Sequence, residues 1–332
     1  MSPAGAPSSP DRRPAGACRV CGNAAGNRRH VAREMMFGFR DAFGYVECAA
    51  CGCLQIEEIP SDIGKYYPER YYSFQASDDA PLKRFLKRLR ARHAIGRWNL
   101  VGWLLSAAFG PPPYARWVRV SGAGIHDPVL DVGCGSGVLL RAMREAGFDD
   151  LTGVDPYVAA DQAPRDGIRI LRRTLSETEG RYRLVLFSHS FEHLDDPEGA
   201  LRESHRLLLP GGVLLLRLPV AGSAAWRRYG ADWVQLDAPR HFFLHTEASI
   251  RILAARTGFE VVRVEWDSDA FQFWGSEQYA RDIPLDDPRS YARNPGASIF
   301  SKRAIREFEA EARKWNERGE GDAACFYLRR EP

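Results

Sequence analysis

Short apolar runs alternate with amphipathic stretches through the middle of the chain. "PVLDVG" (128–133) is a continuous apolar run of strand length, interrupted only by Asp131. "SGVLLRAMREAGF" (136–148) then repeats apolar residues at helical spacing until Gly147 closes the helix, and "LTGVD" (151–155) is a second buried run ending in Asp155. Two further runs follow, "IRILRR" (168–173) and "YRLVLFSHS" (182–190). Asp195, Asp196 and Pro197 supply an N-cap and a first-turn proline for a helix expected to run through Leu209, and "LPGGVLLLRLP" (209–219) is a turn leading into another buried strand. Strands that alternate with helices in this way predict an α/β fold, a doubly wound and mostly parallel sheet whose ligands sit at the carboxyl ends of the strands.

Toward the C-terminus, "SKRAIREFEAEARKWNERGEGD" (301–322) has the spacing of an amphipathic helix, with Ile305, Phe308, Ala312 and Trp315 inward. "DAACFYLRR" (322–330) alternates as a last strand that could pair antiparallel with "EVVRVEWDS" (260–268). The divisions that result are a disordered tail at 1–16, a cysteine-bearing unit with a tyrosine-rich connector at 17–78, a basic helical linker or lid at 79–126, and a core at 127–332 carrying a helical insert at about 268–320.

Composition adds little until it is mapped along the chain. At 332 residues, with 45% hydrophobic and 27% charged residues, the protein is of ordinary globular type, and no apolar stretch reaches the roughly 20 residues of a spanning helix. The first residues have no apolar signal-peptide core, so the expected location is the cytoplasm. The charge is uneven. Residues 80–126 hold nine Lys and Arg with no Asp or Glu, a local +9 against a whole-chain +3, which leaves −6 elsewhere. Within that segment Leu82, Phe85, Leu86 and Leu89 fall on one helical face, and Trp98 and Trp103 follow among aliphatic residues. A lid or linker is one reading; peripheral contact of residues 80–110 with an anionic inner membrane face is the other. No reader motif for nucleic acid accompanies the cations.

Five of the seven cysteines lie within residues 18–53. "CRVCG" and "CAACG" are two C-x-x-C-G knuckles, a spacing that lets Cys18, Cys21, Cys48 and Cys51 close a tetrahedral shell around a structural Zn2+ ion, with Cys53 nearby as another thiol. The pieces between the knuckles, "FGFRDAFGYVEC" (37–48), suit small antiparallel strands.

The turn after the first core strand reads Gly133-Cys-Gly135-Ser-Gly137. The dinucleotide fingerprint wants G-x-G-x-x-G, and Val138 occupies its last place. Asp131 fits poorly beside a pyrophosphate and well beside a ligand with an α-amino group. With "GVDP" (153–156), "SHSFEHLDDP" (188–197), "LLLPGG" (207–212) and "PRHFFLHT" (239–246) following in order, the chain resembles class I S-adenosylmethionine-dependent methyltransferases over about residues 127–265. An N-terminal ribbon with a "YYPERYY"-like stretch (66–72) resembles the subset engaged in sugar and natural-product tailoring. The resemblance implies a Rossmann-like seven-stranded sheet whose last strand is antiparallel. It also implies that Gly133, Gly135 and Gly137 bring backbone up to the methionine part of the cofactor, with Asp131 near its ammonium. Asp155 would accept the ribose hydroxyls, Thr174 and Leu175 would cradle adenine, and Ser188 would complete the set.

The implied reaction is methyl transfer to a small-molecule or glycan acceptor, with a non-catalytic cofactor-binding scaffold and an NAD-type oxidoreductase as alternatives. In-line displacement on an activated methyl group asks mainly for positioning, plus a base where the acceptor must lose a proton. His189, Glu192, His193, His241 and His245 are the candidates. His193 leads as base or acceptor-orienting residue, because it follows the fourth core strand, and His241 comes second. His189, Glu192, His193 and His241 also have metal-ligand chemistry, and the stretch resembles the glutamate-histidine cluster with which some methyltransferases of vicinal hydroxyls hold a divalent ion, with His189 where that cluster has a glutamate. Neither the acceptor atom nor the oligomeric state is written in the residues.

Overall fold

A computed structural model of the protein describes residues 16–68, 80–165 and 167–330. Most of the expected tail and residues 69–72 of the tyrosine-rich connector lie outside the described residues.

The N-terminal unit forms three antiparallel strands, β1 (Arg28–Arg33), β2 (Ala42–Glu47) and β3 (Leu54–Ile56). Three helices follow. The first, α1 (Pro81–Ala94), starts with proline in its first turn. The second, α2 (Leu100–Phe109), is capped by the Asn99 side chain, and α3 (Pro113–Ser121) again starts on proline. Gly102 lets α2 lie close against α1, since a Cβ there would overlap the Leu89 carbonyl. The anticipated apolar face of α1 is not packed at its start: Leu82 is 69% and Phe85 55% exposed, while Ala91 and Ala94 are the residues buried. Small side chains near its C-terminal end are the buried ones, Leu86 and Leu89 are half-buried, and Leu82 and Phe85 remain in solvent.

The core begins with β4 (Val129–Val132), α4 (Val138–Ala146) and β5 (Leu151–Val154), continues through β6 (Gln162–Arg165), β7 (Ile168–Leu171), β8 (Tyr182–Ser188), α5 (Pro197–Leu207) and β9 (Leu208–Pro219), and then runs into α6 (Ala224–Tyr229). The remainder comprises β10 (Phe243–Leu244), α7 (Glu247–Arg256), β11 (Phe259–Trp266), α8 (Phe271–Tyr279), α9 (Lys302–Glu317) and β12 (Ala323–Arg330). The main sheet has the order β11-β12-β9-β8-β4-β5-β7-β6. Strands β9, β8, β4, β5 and β7 are parallel, and β12 runs antiparallel between β9 and β11. This is the anticipated seven-stranded arrangement with one addition, the short antiparallel edge strand β6, which the sequence pattern does not announce.

Helix α5 stops two residues earlier than its apolar spacing suggests, because Leu208 already pairs with Tyr182 in the sheet. Strands β4 and β5 are buried at every position, and at roughly 1.5–3 kcal/mol per enclosed aliphatic side chain they anchor the centre of the sheet. Sheet order reverses beside β4, whose neighbours are β5 and β8, so the carboxyl ends of β4 and β8 open onto one crevice.

The cysteine-bearing unit is continuous with this core. Its β3 pairs with β10 (Phe243 opposite Gln55, Leu244 opposite Leu54), giving a second sheet of order β1-β2-β3-β10. Tyr45, Leu54 and Ile56 pack in one apolar cluster with Leu216, Phe243 and Leu253 of the core. The helical insert closes over the same side, with Phe308 and Trp315 of α9 packed on Phe273 of α8 at ring-centroid distances of 5.3 and 4.6 Å. Among the described residues no helix is long and apolar enough to cross a membrane.

Candidate active site

The glycine turn is built from its glycines and tied to the end of β5. Gly133 (φ +74°) donates to Val154 O at 2.8 Å, and a Cβ on it would come within 2.5 Å of the Ser190 Cβ. Gly137 (φ +75°) is the N-cap of α4, and a side chain there would overlap Ile170. Both positions demand the left-handed conformation that glycine adopts without strain. Gly135 N–H donates to Asp155 Oδ2 at 2.9 Å, and Tyr157 N–H donates to Asp155 Oδ1 at 2.8 Å. The Asp155 carboxylate is thereby fixed at the mouth of the turn, with lone pairs left on each oxygen.

Asp131 is buried beneath the turn. Burial, and then the neighbouring Asp155 charge, push its carboxyl up to about 7, with no hydrogen bond to offset them. A cationic group arriving here would reverse that penalty, so the donor set suits the ammonium expected from the sequence. Cys134 packs its thiol against Gly153. Thr174 is exposed; its amide and hydroxyl both bond Glu177 Oε2, at 2.9 and 2.8 Å, while Leu175 packs on the core. Ser188 ends β8, partly exposed.

The segment after β8 joins the turn to a cavity of about 360 Å3. Ser190, against Gly133, donates to Val132 O at 2.6 Å; His189, beside it, has φ +56° and lines the cavity together with Glu192, His193 and His241. Holding a histidine at positive φ costs free energy. Here two bonds to Arg217 hold it: His189 N–H donates to Arg217 O at 2.9 Å, and the Arg217 guanidinium donates to His189 Nε2.

His193 and His241 meet edge to face, 4.8 Å between ring centroids. Nδ1 of His193 lies 2.8 Å from Arg240 O, and Nδ1 of His241 lies 2.8 Å from Gln235 O. Carbonyl oxygens only accept, so each Nδ1 carries a hydrogen, and in a neutral ring the lone pair is on Nε2. Burial lowers His241 to about 4, which leaves the ring neutral at pH 7. Burial works against ionisation of Glu192, but His189, His193 and His241 outweigh it and hold this fully buried carboxyl down at about 2. His245 stands apart from this group. It is stacked on Phe243, with Nδ1 3.1 Å from Ser249 Oγ, and serves the core rather than the cavity lining.

Two walls of the cavity were not legible as such. Phe271 and Trp274 of α8, with Leu285 and Arg293 beyond it, form one; Met36 and Phe37 of the N-terminal unit form the other. The aromatic cluster "FQFWG" was visible in the sequence, but nothing local says that it turns toward His241. No residue of α1 or α2 contributes to the lining. Beneath the cavity, fully buried Arg240 bonds Asp237 at 2.6 and 2.9 Å, the Tyr66 carbonyl at 3.1 Å, and Glu34 at 3.0 Å. Glu34 in turn accepts from the amides of Phe37 and Phe39. An Asp and an Arg three residues apart around a proline were the available signal; their partner some 200 positions upstream was not.

The four knuckle cysteines converge, with Sγ–Sγ distances of 3.6 Å (Cys18–Cys51) and 3.4 Å (Cys21–Cys48) and all four sulfurs within 4.8 Å of one another. Four thiolates around one zinc ion at 2.3 Å would stand roughly 3.8 Å apart. Gly22 (φ +82°) and Gly52 (φ +71°) turn the two knuckles, and the Ala50 and Cys51 amides point at Cys48 Sγ, 3.4 Å away. Cys51 is the fourth thiol of this group; Cys53 lies in the core, 3.9 Å from His245.

Residues 79–264, more than half of the chain, match the family model described as a methyltransferase domain. A ubiquinone biosynthesis O-methyltransferase of Pseudomonas paraeruginosa is 30% identical over 136 residues, covering 36% of this chain and 56% of that protein. The protein of the same name from Bordetella avium is 35% identical over 113 residues, covering 30% and 46%. The chain thus spans about half the length of these curated relatives. Among solved structures, a cyclopropane synthase from Mycobacterium tuberculosis aligns with 65% of this chain and 83% of its own, at 20% identity and a TM-score of 0.41.

Proposed function

The chain belongs to the methyltransferase-domain family, and from that premise we propose that it transfers the methyl group of S-adenosylmethionine to a small, hydroxyl-bearing acceptor held against His193 and His241. The observation that carries this reading is the continuity of residues 188–193: Ser190 abuts the glycine turn while His189, Glu192 and His193 line the cavity, so donor and acceptor would meet across one short segment. Asp155 and the Gly133–Gly137 backbone would hold the nucleoside and methionine parts, and Asp131 the ammonium. Bound there, the cofactor supplies an already activated methyl group. What remains for the chain is to place the acceptor in line and to meet its hydroxyl with a ring-nitrogen lone pair, for which His193 and His241 are placed.

For the acceptor we favour a sugar, free or polysaccharide-linked, or a hydroxylated secondary metabolite. A sugar ring offers an apolar face and a rim of hydroxyls, matching the aromatic wall of Phe271 and Trp274 and the polar floor of Glu192, His193 and His241. The names of the relatives also speak for oxygen as the methylated atom. Calorimetry with S-adenosylhomocysteine, followed by turnover with a panel of sugar and phenolic acceptors, tests the reading. Absence of cofactor binding would remove it.

The cysteine cluster we assign to a structural Zn2+ held by Cys18, Cys21, Cys48 and Cys51, a closed shell with no position for substrate. One observation favours an additional surface role. Trp98, in the connection between α1 and α2, and Trp103, Leu104 and Phe109 of α2 are each at least half exposed next to the basic run of α1, which suits peripheral attachment to an anionic lipid surface and, with it, a lipid-linked acceptor.

A further inference from the structure

We propose that Arg217 is a positioning residue for the acceptor cavity: through His189 it fixes which edge of that ring faces Glu192, and so keeps the Glu192 carboxylate as an anion with one oxygen open to an acceptor hydroxyl. The inference rests on the reading of this cavity as the acceptor site. It brings in Arg217 and Asp267, neither of which lines the cavity.

Strand register brings the first pair together. Strand β8 runs parallel to β9 with Ser188 opposite Arg217, so His189 emerges beside the arginine, and its N–H donates to Arg217 O at 2.9 Å. The side chains then meet, the Arg217 guanidinium donating to His189 Nε2. That guanidinium is held from two other directions. Its Nε donates to Asp267 Oδ2 at 2.6 Å, and its central carbon lies 5.8 Å from the Trp117 ring centroid. Asp267 is fixed in turn by its own amide, which donates to Ala323 O of β12 at 3.1 Å.

A guanidinium only donates, so His189 Nε2 holds the lone pair and Nδ1 carries the hydrogen. Nδ1 stands 3.4 Å from Glu192 Oε1. The N–H edge of the ring therefore faces the carboxylate; the other tautomer would set a lone pair there and turn attraction into repulsion. Histidine suits position 189 for this reason. A glutamate would pair with Arg217 but repel Glu192, and a lysine would do the reverse, whereas an imidazole accepts on one edge and donates on the other. The chain keeps histidine here at φ +56°, a conformation that costs free energy outside glycine.

The consequence falls on Glu192. Burial opposes its ionisation, and the His189 contact is the foremost of the influences that outweigh burial. The residue has no solvent exposure, and its Oε2 has no hydrogen-bond partner among the described residues. A buried carboxylate oxygen without a donor is costly, and a hydroxyl of the acceptor satisfies it. The series Asp267, Arg217, His189, Glu192 thus runs from the end of β11 to the cavity, and favours acceptors that bring a hydrogen to Oε2.

Long-range proton–nitrogen NMR of the full-length protein carrying 15N-histidine reads the tautomer directly, with His189→Asn, which tolerates positive φ, assigning the signals. The parent is expected to show Nδ1 protonated and Nε2 bare. Arg217→Met should release the ring into a mixture of tautomers. It should also raise KM about tenfold for the sugar or phenol that turns over best, with S-adenosylhomocysteine affinity held within twofold. Arg217→Lys, which keeps a charged donor, should restore the tautomer and most of the KM. In a His189→Asn background Arg217→Met should cost less than about twofold more, because its effect has lost its carrier. A parent ring protonated on Nε2, an unchanged tautomer in Arg217→Met, or an equal cost of Arg217→Met in both backgrounds would overturn the proposal. The first of these is read on the parent alone, whether or not the variants fold. The two readings fail separately: turnover by a parent with Nε2 protonated removes only the role of Arg217, and a parent that ignores the nucleoside removes methyl transfer whatever the tautomer.

Discussion

Gly135 donates its amide hydrogen to Asp155 across 2.9 Å, so the glycine turn after β4 and the carboxylate at the end of β5 form one hydrogen-bonded unit. Replacing Asp155 with alanine removes both the anchor of the turn and the acceptor proposed for the ribose hydroxyls. The expected result is at least about a tenfold loss of affinity for S-adenosylhomocysteine, some 1.4 kcal/mol by calorimetry, in a protein whose circular dichroism is unchanged.

Asp131 sets a pH dependence with two opposite faces. Its carboxyl is raised to about 7 in the folded chain, above the ordinary carboxylate value. A group shifted upward stabilises the fold while protonated. That contribution is complete below about pH 4 and is lost as pH rises through 7. The stability gap between an Asp131→Asn variant and the ligand-free parent should therefore widen in the variant's favour from pH 5 to pH 8. Asp131→Asn should recover ~2 kcal/mol or more at pH 8 and at the same time lose cofactor affinity. In the parent, cofactor binding should strengthen as pH rises through 7, because the anionic form is the one that meets an ammonium. Affinity that is level from pH 5 to 8 would contradict the pairing.

His193→Gln and His241→Gln separate chemistry from binding. Each is expected to lower kcat by about 10²–10⁴ with S-adenosylhomocysteine affinity held within twofold, since neither ring touches the glycine turn. Parallel losses of nucleoside binding and turnover would instead give these residues a purely structural role.

Arg240 joins three parts of the molecule from a fully buried position. Truncating it to alanine leaves Asp237 and Glu34 buried without their guanidinium partner, and a cost of about 3–5 kcal/mol in urea denaturation is expected. Because the same ion cluster fixes the loop bearing His241, turnover should fall even below the denaturation midpoint.

The exposed tryptophans allow a direct check of the surface reading. Trp98→Ser with Trp103→Ser should reduce co-sedimentation with phosphatidylglycerol vesicles, leave phosphatidylcholine vesicles unbound as before, and preserve turnover of a soluble acceptor. Equal sedimentation of parent and variant would remove lipid from the account.

Much of the core was legible because its signals are local. Buried strands at 129–132 and 151–154, the helix closed by Gly147, and the paired knuckles at Cys18–Cys21 and Cys48–Cys51 are each written in a few adjacent residues whose sterics allow little else. His193 and His241 were reachable by their place after strands. Glu34, Phe37 and Trp274 were not, since their roles arise only when segments hundreds of residues apart close on one cavity. The apolar stripe of α1 shows a different limit: periodicity says that Leu82 and Phe85 share a face, and it cannot say whether that face meets protein or solvent.

The two-residue pairing of β3 with β10 constrains any rebuilding of this protein. A chimera that imports another ribbon also imports new neighbours for the stretch from Arg240 to Leu244, where Tyr45 OH grips the His241 carbonyl at 2.9 Å and the Ile56 amide bonds Phe242 O at 3.0 Å. Selectivity would drift even with every cavity side chain conserved. The unit to transplant is therefore discontinuous in sequence, and ribbon, histidine loop and aromatic wall would have to travel together.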